Sequence, residues 1–376
     1  MLLKNLCSFN KGIQIKRDLT SIDYVIPYLH YGDLYKKYNV KLNLDEIHSE
    51  IIKVDNSFYN SKYQINNNDI VMNLTSENYD DLGKCIIVKN SENKPFLAGM
   101  ETHLIKIHSS SIIPEYLNYY FESDSFLKCI QQFITGMKVF RVKPTDILNI
   151  DISLPNLQYQ QHIVDIIGSL DDKIENNNKI IEKMNNILNV KTNELLLYKT
   201  RKIQLNDIIE ECKEKSEIEL VPYSVINTGK VIIQNEQFNK EIAKNTKGKY
   251  KKIKKDYFVY NPSRINIGSI GEMEDEIGCV SPIYVVFKCI EEYKIYLQQL
   301  LTFDSMIKEI NKRCSGSVRQ ALSFNDLCSI EIYDIEKEKL KIYNKYCDSI
   351  IRITKKLEQE NKLLENQKKL YLAKFF

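Results

Sequence analysis

An internal repeat constrains this chain more than any other feature, because a duplicated sequence builds one kind of unit twice. Gly136, Asp146, Ile150 and Ile152 return at identical spacing as Gly316, Asp326, Ile330 and Ile332. At the same offset Tyr116-Leu117 returns as Tyr296-Leu297, and Asp124-Ser125 as Asp304-Ser305. After a small gap, the stretch Lys173 to Glu182 returns as Lys356 to Glu365, with Lys173, Glu175, Asn178, Lys179 and Glu182 preserved and three isoleucines exchanged for leucine. Upstream the echo is fainter: Ile26-Pro27-Tyr28 resembles Val221-Pro222-Tyr223, and Asp69-Ile70-Val71 resembles Asp256-Tyr257-Phe258. Each unit therefore runs from a variable globular part, through a glycine-containing loop and a short strand, into a long helix.

The helices follow from spacing. Between Tyr159 and Tyr198, apolar side chains fall at Ile163, Ile167, Leu170, Ile174, Ile181, Met184, Leu188 and Leu195, with Asn177 at one position of the same stripe. Steps alternating between three and four make a heptad seam, and Pro155 suits a helix entry. Some forty residues rising ~1.5 Å each give a rod of roughly 60 Å. A second helix is predicted from Glu338 to Ala373, with Ile350, Leu357, Leu364 and Tyr371 on one face. An amphipathic helix of this length must bury its stripe, and the available partner is the other copy, running in the opposite direction. The globular parts read as mixed α/β. Strands are predicted at Asp69–Met72, Cys85–Lys89, Tyr257–Tyr260 and Pro282–Lys288, and helices at Pro114–Phe133 and Lys294–Arg313.

Composition mainly excludes. Hydrophobic content of 43% and charged content of 27% fit an ordinary globular protein. No apolar run is long enough to span a membrane, and Met1-Leu2-Leu3-Lys4-Asn5 lacks the pattern of a secretory signal, so a cytoplasmic protein is expected. The nine cysteines form no C-x-x-C pair and read as buried free thiols. The five histidines are dispersed, and no metal site is expected. A net charge of +3 does not mark a nucleic-acid binder by itself. Its distribution says more: Lys244 to Lys255 holds seven lysines and no acid, and reads either as solvated surface or as a strip contacting phosphates.

The stretch Leu154-Pro155-Asn156-Leu157-Gln158-Tyr159-Gln160-Gln161-His162-Ile163-Val164, followed by Ser169-Leu170-Asp171-Asp172-Lys173-Ile174-Glu175, resembles the central region of type I restriction-modification specificity subunits. Ser281-Pro282-Ile283-Tyr284 resembles the Ser-Pro-x-Tyr of that family's late strand. Asn261-Pro262-Ser263-Arg264-Ile265-Asn266-Ile267-Gly268 resembles its Arg-and-Gly loop. The first half departs from the pattern, carrying Gly99-Met100-Glu101-Thr102 where Ser-Pro-x-Tyr is expected. The second helix is entered through Tyr333-Asp334-Ile335-Glu336, without Leu-Pro.

The resemblance implies an α+β chain: two mixed α/β DNA target-recognition domains in pseudo-two-fold tandem, separated by two long antiparallel coiled-coil helices. The expected division is 1–155, 156–200, 201–335 and 336–376. Each domain would read one half of a bipartite site in double-stranded DNA, and the helices would set the spacing. Two methyltransferase (modification) subunits would dock on the helices, joined by restriction/translocase subunits. S-adenosylmethionine, ATP and Mg would be held by those partners, and no cofactor or metal by this chain.

Base or phosphate contacts in the second domain are expected from Ser263, Arg264 and Asn266, on a loop whose Gly268 allows close approach. Arginine can grip guanine with two hydrogen bonds, and asparagine can do so for adenine. Ser317, Arg319 and Gln320 form a second candidate loop after Gly316, with Lys138 and Arg141 as first-domain counterparts after Gly136. Lys249, Lys251 and Lys252 are phosphate candidates. Asn73, Thr75, Ser76 and Asn78 are first-domain base readers, placed by the faint match of Asp69 to Asp256.

Two rivals stand beside this reading. A DNA methyltransferase needs a glycine turn for its cofactor and an Asn/Asp-Pro-Pro-aromatic loop; Asn261-Pro262-Ser263-Arg264 lacks the second proline and the aromatic. No G-x-x-x-x-G-K-[ST] phosphate loop occurs either. A non-catalytic coiled-coil scaffold binding only proteins would use the helix seam alone, which leaves the basic loops at matching repeat positions without a role.

Overall fold

A computed structural model describes residues 1–36, 41–44, 51–198, 201–234, 246–314 and 321–376. The chain divides into two compact units, Met1–Asn178 with Glu358–Phe376, and Lys179–Leu357. Both unit boundaries fall inside long helices, so each unit takes one part of the central helix, Leu157–Leu196, and one part of the C-terminal helix, Lys337–Phe375.

In the first unit, a five-stranded sheet runs in the order Cys7–Lys11, Thr102–Ile107, Ile70–Asn73, Cys85–Lys89, Lys41–Asn43. The first four strands pair antiparallel, and the last joins Cys85–Lys89 in parallel. The unbroken apolar run Ile70-Val71-Met72 is explained by burial on both faces. Ile70 and Met72 pack with Tyr116, Leu117, Phe121 and Phe126 of the helices Pro114–Glu122 and Asp124–Gln131. Val71 points the other way, toward Leu29, Phe96 and Ala98. A one-residue slip would exchange those two surroundings, so the register is strongly specified. The single helix expected over Pro114–Phe133 is broken at Ser123, whose hydroxyl leaves the helical pattern to accept the Phe126 amide as an N-cap.

The second unit repeats the plan. Ile209–Glu211, Val285–Cys289, Phe258–Tyr260 and Ile270–Glu272 form an antiparallel sheet in that order. Phe258 and Tyr260 face the helical side with Tyr296, Leu297 and Ile310, while Val259 faces Tyr223, Val225 and Val280. The helix expected over Lys294–Arg313 is two helices, Lys294–Leu300 and Asp304–Arg313. Between them the Thr302 hydroxyl bonds back to the Gln299 carbonyl at 2.7 Å.

The helix pairing is antiparallel within each unit. In the first, Ile163, Ile167 and Leu372 enter one core. Asn177 donates its side-chain amide to Asn361 at 2.9 Å, and Asn361 donates in turn to Asn178 at 2.8 Å. In the second, Leu188, Cys347 and Ile350 share a core, and the Thr192 and Tyr343 hydroxyls meet at 2.7 Å. Of the predicted seam, Ile163, Ile167, Ile174, Leu188, Ile350 and Leu364 are buried, while Leu170, Ile181, Met184 and Leu357 are half-buried. Fully burying one such side chain contributes about 1.5–3 kcal/mol. The Asn177–Asn361 pair instead fixes register, since any slip would strand two amides in an apolar seam.

The Leu-Pro entry also has a local cause. Gln160 is fully buried. Its carbonyl oxygen accepts the Ile113 amide at 2.9 Å, and its amide nitrogen donates to the carbonyls of Ser111 and Pro155 at 2.9 and 2.8 Å. One side chain therefore ties the start of the central helix to the segment leading into Pro114–Glu122. All nine cysteines are free thiols. No helix among the described residues is long and apolar enough to cross a membrane.

Candidate nucleic-acid interface

The two units present the same loop at the same place. After the strand Ile70–Asn73 the chain turns out and returns at Gly83; after Phe258–Tyr260 it turns out and returns at Gly268. In both, an asparagine opens the loop and accepts the amide two residues on: Asn73 from Thr75 at 3.2 Å, Asn261 from Ser263 at 3.1 Å. In both the base is clamped, by the Asn73 amide on the Lys84 carbonyl and the Asn261 amide on the Ser269 carbonyl. Gly83 and Gly268 both hold left-handed backbone, φ 83° and 90°, and a β-carbon at Gly268 would lie 2.5 Å from the Asn227 carbonyl oxygen. A second segment crosses each loop, with the Val142 amide bonded to the Leu74 carbonyl and the Leu322 amide to that of Pro262.

This register corrects one expectation. Asn68 and Asp256 are the residues of positive φ, both 66°, ahead of the equivalent strands. Asp69 therefore corresponds to Tyr257, one place later than the sequence match to Asp256 suggests. Asn73 then aligns with Asn261, Thr75 with Ser263 and Ser76 with Arg264. The placement of Gly99-Met100-Glu101-Thr102 opposite Ser281-Pro282-Ile283-Tyr284 agrees with the strand register, in which Thr102 lies across from Asn73 and Val285 across from Tyr260.

The candidate residues separate into those that face solvent and those that hold the loops. Arg264 and Ser263 are exposed, Asn266 is half-buried, and no ion pair holds Arg264 among the described residues. Lys138 and Arg141 are exposed on a turn closed by mutual backbone hydrogen bonds of Thr135 and Arg141 at 2.9 Å, with Gly136 at φ 107°. Arg141 lies directly across from Thr75 in a two-stranded ladder. Asn73 and Ser76, expected to read bases, are buried and spend their side chains inside the loop: Asn73 on Thr75 and Asp81, Ser76 on the Asn78 amide. Asn78 is exposed, but its oxygen accepts the Asp80 amide as a cap. Ser317, Arg319 and Gln320 lie outside the described residues, as does Lys244.

The lysine strip is mostly committed to its own domain. Lys251 donates to the Tyr284 carbonyl at 2.7 Å, Lys252 pairs with Glu214 at 2.6 Å, and Lys255 pairs with Glu276 at 2.7 Å. Acids distant in sequence fold back onto it, which the local charge count could not show. Lys249 remains exposed, and no ion pair holds it among the described residues.

Four residues that sequence reasoning passed over complete the first-unit site. Glu101, at φ 57°, accepts from Gln14 at 3.3 Å and from the Thr75 hydroxyl, and lies 3.7 Å from the Lys11 ammonium. Burial alone would raise its carboxyl; Thr75 and Gln14, with Lys11 and Arg141 beyond them, outweigh that and hold it below its ordinary range. Beneath it, His103 is buried with Nδ1 unpartnered among the described residues. Burial, then Lys11, pushes the imidazole down to about 4, with Glu101 opposing. The available signal was the repeat itself, since Glu101 and His103 stand where the second unit has Ile283 and Val285.

His103→Val should therefore relieve an acid sensitivity. Because the folded pKa lies below the unfolded value, this group's stability is present above about pH 6.5 and is lost as pH falls toward 4. The expected loss from this site between pH 7 and 5 is about 2 kcal/mol. Thermal melts of parent and variant across that range should diverge by that amount; parallel curves would refute the assignment.

Residues 1–186 match the family described as "Type I restriction modification DNA specificity domain". Over those 186 of its 376 residues the chain is similar to the type I restriction-modification DNA specificity family. Among solved structures, the type I S subunit from M. genitalium matches 100% of this chain over 95% of its own length, at 14% identity and TM-score 0.58, which shows a similar fold. A structure concerning complex assembly and conformational transition of the type I R-M system matches at 13% identity, with 100% and 96% coverage and TM-score 0.42. The HsdS subunit from Thermoanaerobacter tengcongensis matches at 15%, with 100% and 95% coverage and TM-score 0.33. A comparison with curated proteins finds no match.

Proposed function

We propose that this chain is the sequence-reading subunit of a type I restriction-modification complex, each unit reading one half of a bipartite DNA site. The carrying observation is the pair of equivalent loops, Asn73–Gly83 and Asn261–Gly268. Each has a hydrogen-bonded base and exposed cationic side chains at or beside it, Lys138 and Arg141 in one case and Arg264 in the other. A rigid loop base and an exposed arginine suit readout of base edges, with nearby lysines positioning phosphates.

The paired helices would fix the gap between half-sites, helped by the register-setting Asn177–Asn361 contact. Modification subunits would dock on them. Leu363 and Leu370 are 69% and 72% exposed one heptad apart, and Ile342 is 71% exposed, so apolar side chains remain for partners. Methyl transfer and translocation would belong to those partners and to restriction subunits, carrying S-adenosylmethionine, ATP and Mg, in the cytoplasm. This chain would supply the address and no catalysis.

The separating test is binding of the full chain to duplex DNA over a salt series. A DNA reader contacting six or more phosphates should lose about a thousandfold in affinity between 50 and 200 mM salt. A protein-only scaffold would show no DNA affinity to lose.

A further inference from the structure

We propose that Glu101 is a specificity-determining residue of the first half-site, accepting a hydrogen bond from the exocyclic amine of a cytosine; this rests on the DNA-reading function above. Lys11 at a strand end and Gln14 in the following loop reach its carboxylate, Thr75 of the candidate loop hydrogen-bonds to it, and Arg141 stands across from Thr75 in the ladder. The side chain is 26% exposed, and Gln14 at 3.3 Å and Lys11 at 3.7 Å are both long contacts. An ionised carboxylate has about four lone-pair sites, so acceptor capacity remains. Left-handed backbone is costly for a glutamate and concentrates at functional positions.

A carboxylate beside a polyanion is repelled unless it meets a donor. In the major groove the donors are the amines of cytosine and adenine. Adenine sets its amine beside the N7 acceptor, which a pure acceptor would face unfavourably; cytosine sets no acceptor on that edge. Lys11 and Arg141 offset the charge toward phosphates and the partner guanine. The second unit carries the exposed Ile283 at this place, so the two units differ here in the chemistry they offer while sharing the loop scaffold.

The test replaces the host allele by Glu101→Gln in the full chain and reads the methylated motif by single-molecule sequencing. An amide offers donor and acceptor together, as adenine requires. One cytosine position in one half-site should lose at least roughly tenfold in discrimination or turn toward adenine, with the other half and the gap unchanged. A motif unchanged at every position, or a parent motif whose altered half holds no cytosine, overturns the proposal. If methylation disappears, Glu101→Asp decides: the parent motif at reduced occupancy supports it. Loss with Asp as well, in a chain that melts like the parent, makes Glu101 a scaffold residue and overturns it. Arg264→Ala in the same strain separates the levels. A change confined to the other half-site beside an unaltered Glu101→Gln motif defeats Glu101 alone, whereas no effect from either variant defeats the DNA-reading function.

Discussion

Lys368→Ala should destabilise the first unit by about 3–5 kcal/mol, because it leaves two largely buried carboxylates, 17% and 16% exposed, without their cation. Lys368 is 10% exposed and pairs with Glu122 and Asp171, each at 2.8 Å. Asp171 also accepts the Tyr119 hydroxyl at 2.9 Å, and Glu122 accepts the Asn118 amide at 2.7 Å. The C-terminal helix is thereby locked onto both the first unit's helical layer and the central helix. At the repeat offsets the second unit has Thr302, Thr354 and Asn185, so this ionic lock belongs to one unit only.

Burial, with Asp171 adding, pushes the Glu122 carboxyl up to about 7 against the pull of Lys368. A carboxyl raised in the folded state contributes stability at low pH that is lost as pH rises from its unfolded value near 4.5 through 7. Removing Lys368 raises the carboxyl further, so the defect of the alanine variant should shrink on acidification from pH 7 to 5. Denaturant melts of the full chain at both pH values check this, and an equal loss at each pH would contradict it.

Arg264→Ala should leave melting within about 0.5 kcal/mol of the parent while weakening cognate DNA binding by about 1–3 kcal/mol, roughly five- to 150-fold. Its amide is bonded to the Asn261 carbonyl and its own carbonyl accepts the Ser269 amide, so the backbone is pinned while the side chain is exposed. The loss should be confined to one half-site. Equal weakening on cognate and random duplexes would make Arg264 a phosphate contact instead.

The repeat and the helices were legible because an amphipathic helix writes its buried face at a fixed period. Ile163, Ile167 and Ile350 lie on that period and are buried. The double-sided burial of Ile70-Val71-Met72 was visible as a strand, though its end was off by one residue at Asn73. The Asn73–Gly83 and Asn261–Gly268 loops were legible as places, less so as contacts. Asn73 and Ser76 look like readers in sequence because amides and hydroxyls serve turns and bases equally well. Lys251 and Lys252 look free because Glu214 and the Tyr284 carbonyl reach them only through the fold. Glu101 was invisible for the converse reason: Lys11, Gln14 and Thr75, which favour its charged form, are distant from it in sequence and meet it only when the sheet forms.

The most direct measurement is single-molecule sequencing of methylated genomic DNA from the native host with and without this gene. The specificity-subunit account predicts that deletion removes one split motif, two short defined halves around a gap of fixed length. A methylome unchanged by deletion, in cells shown to express the chain, would contradict it.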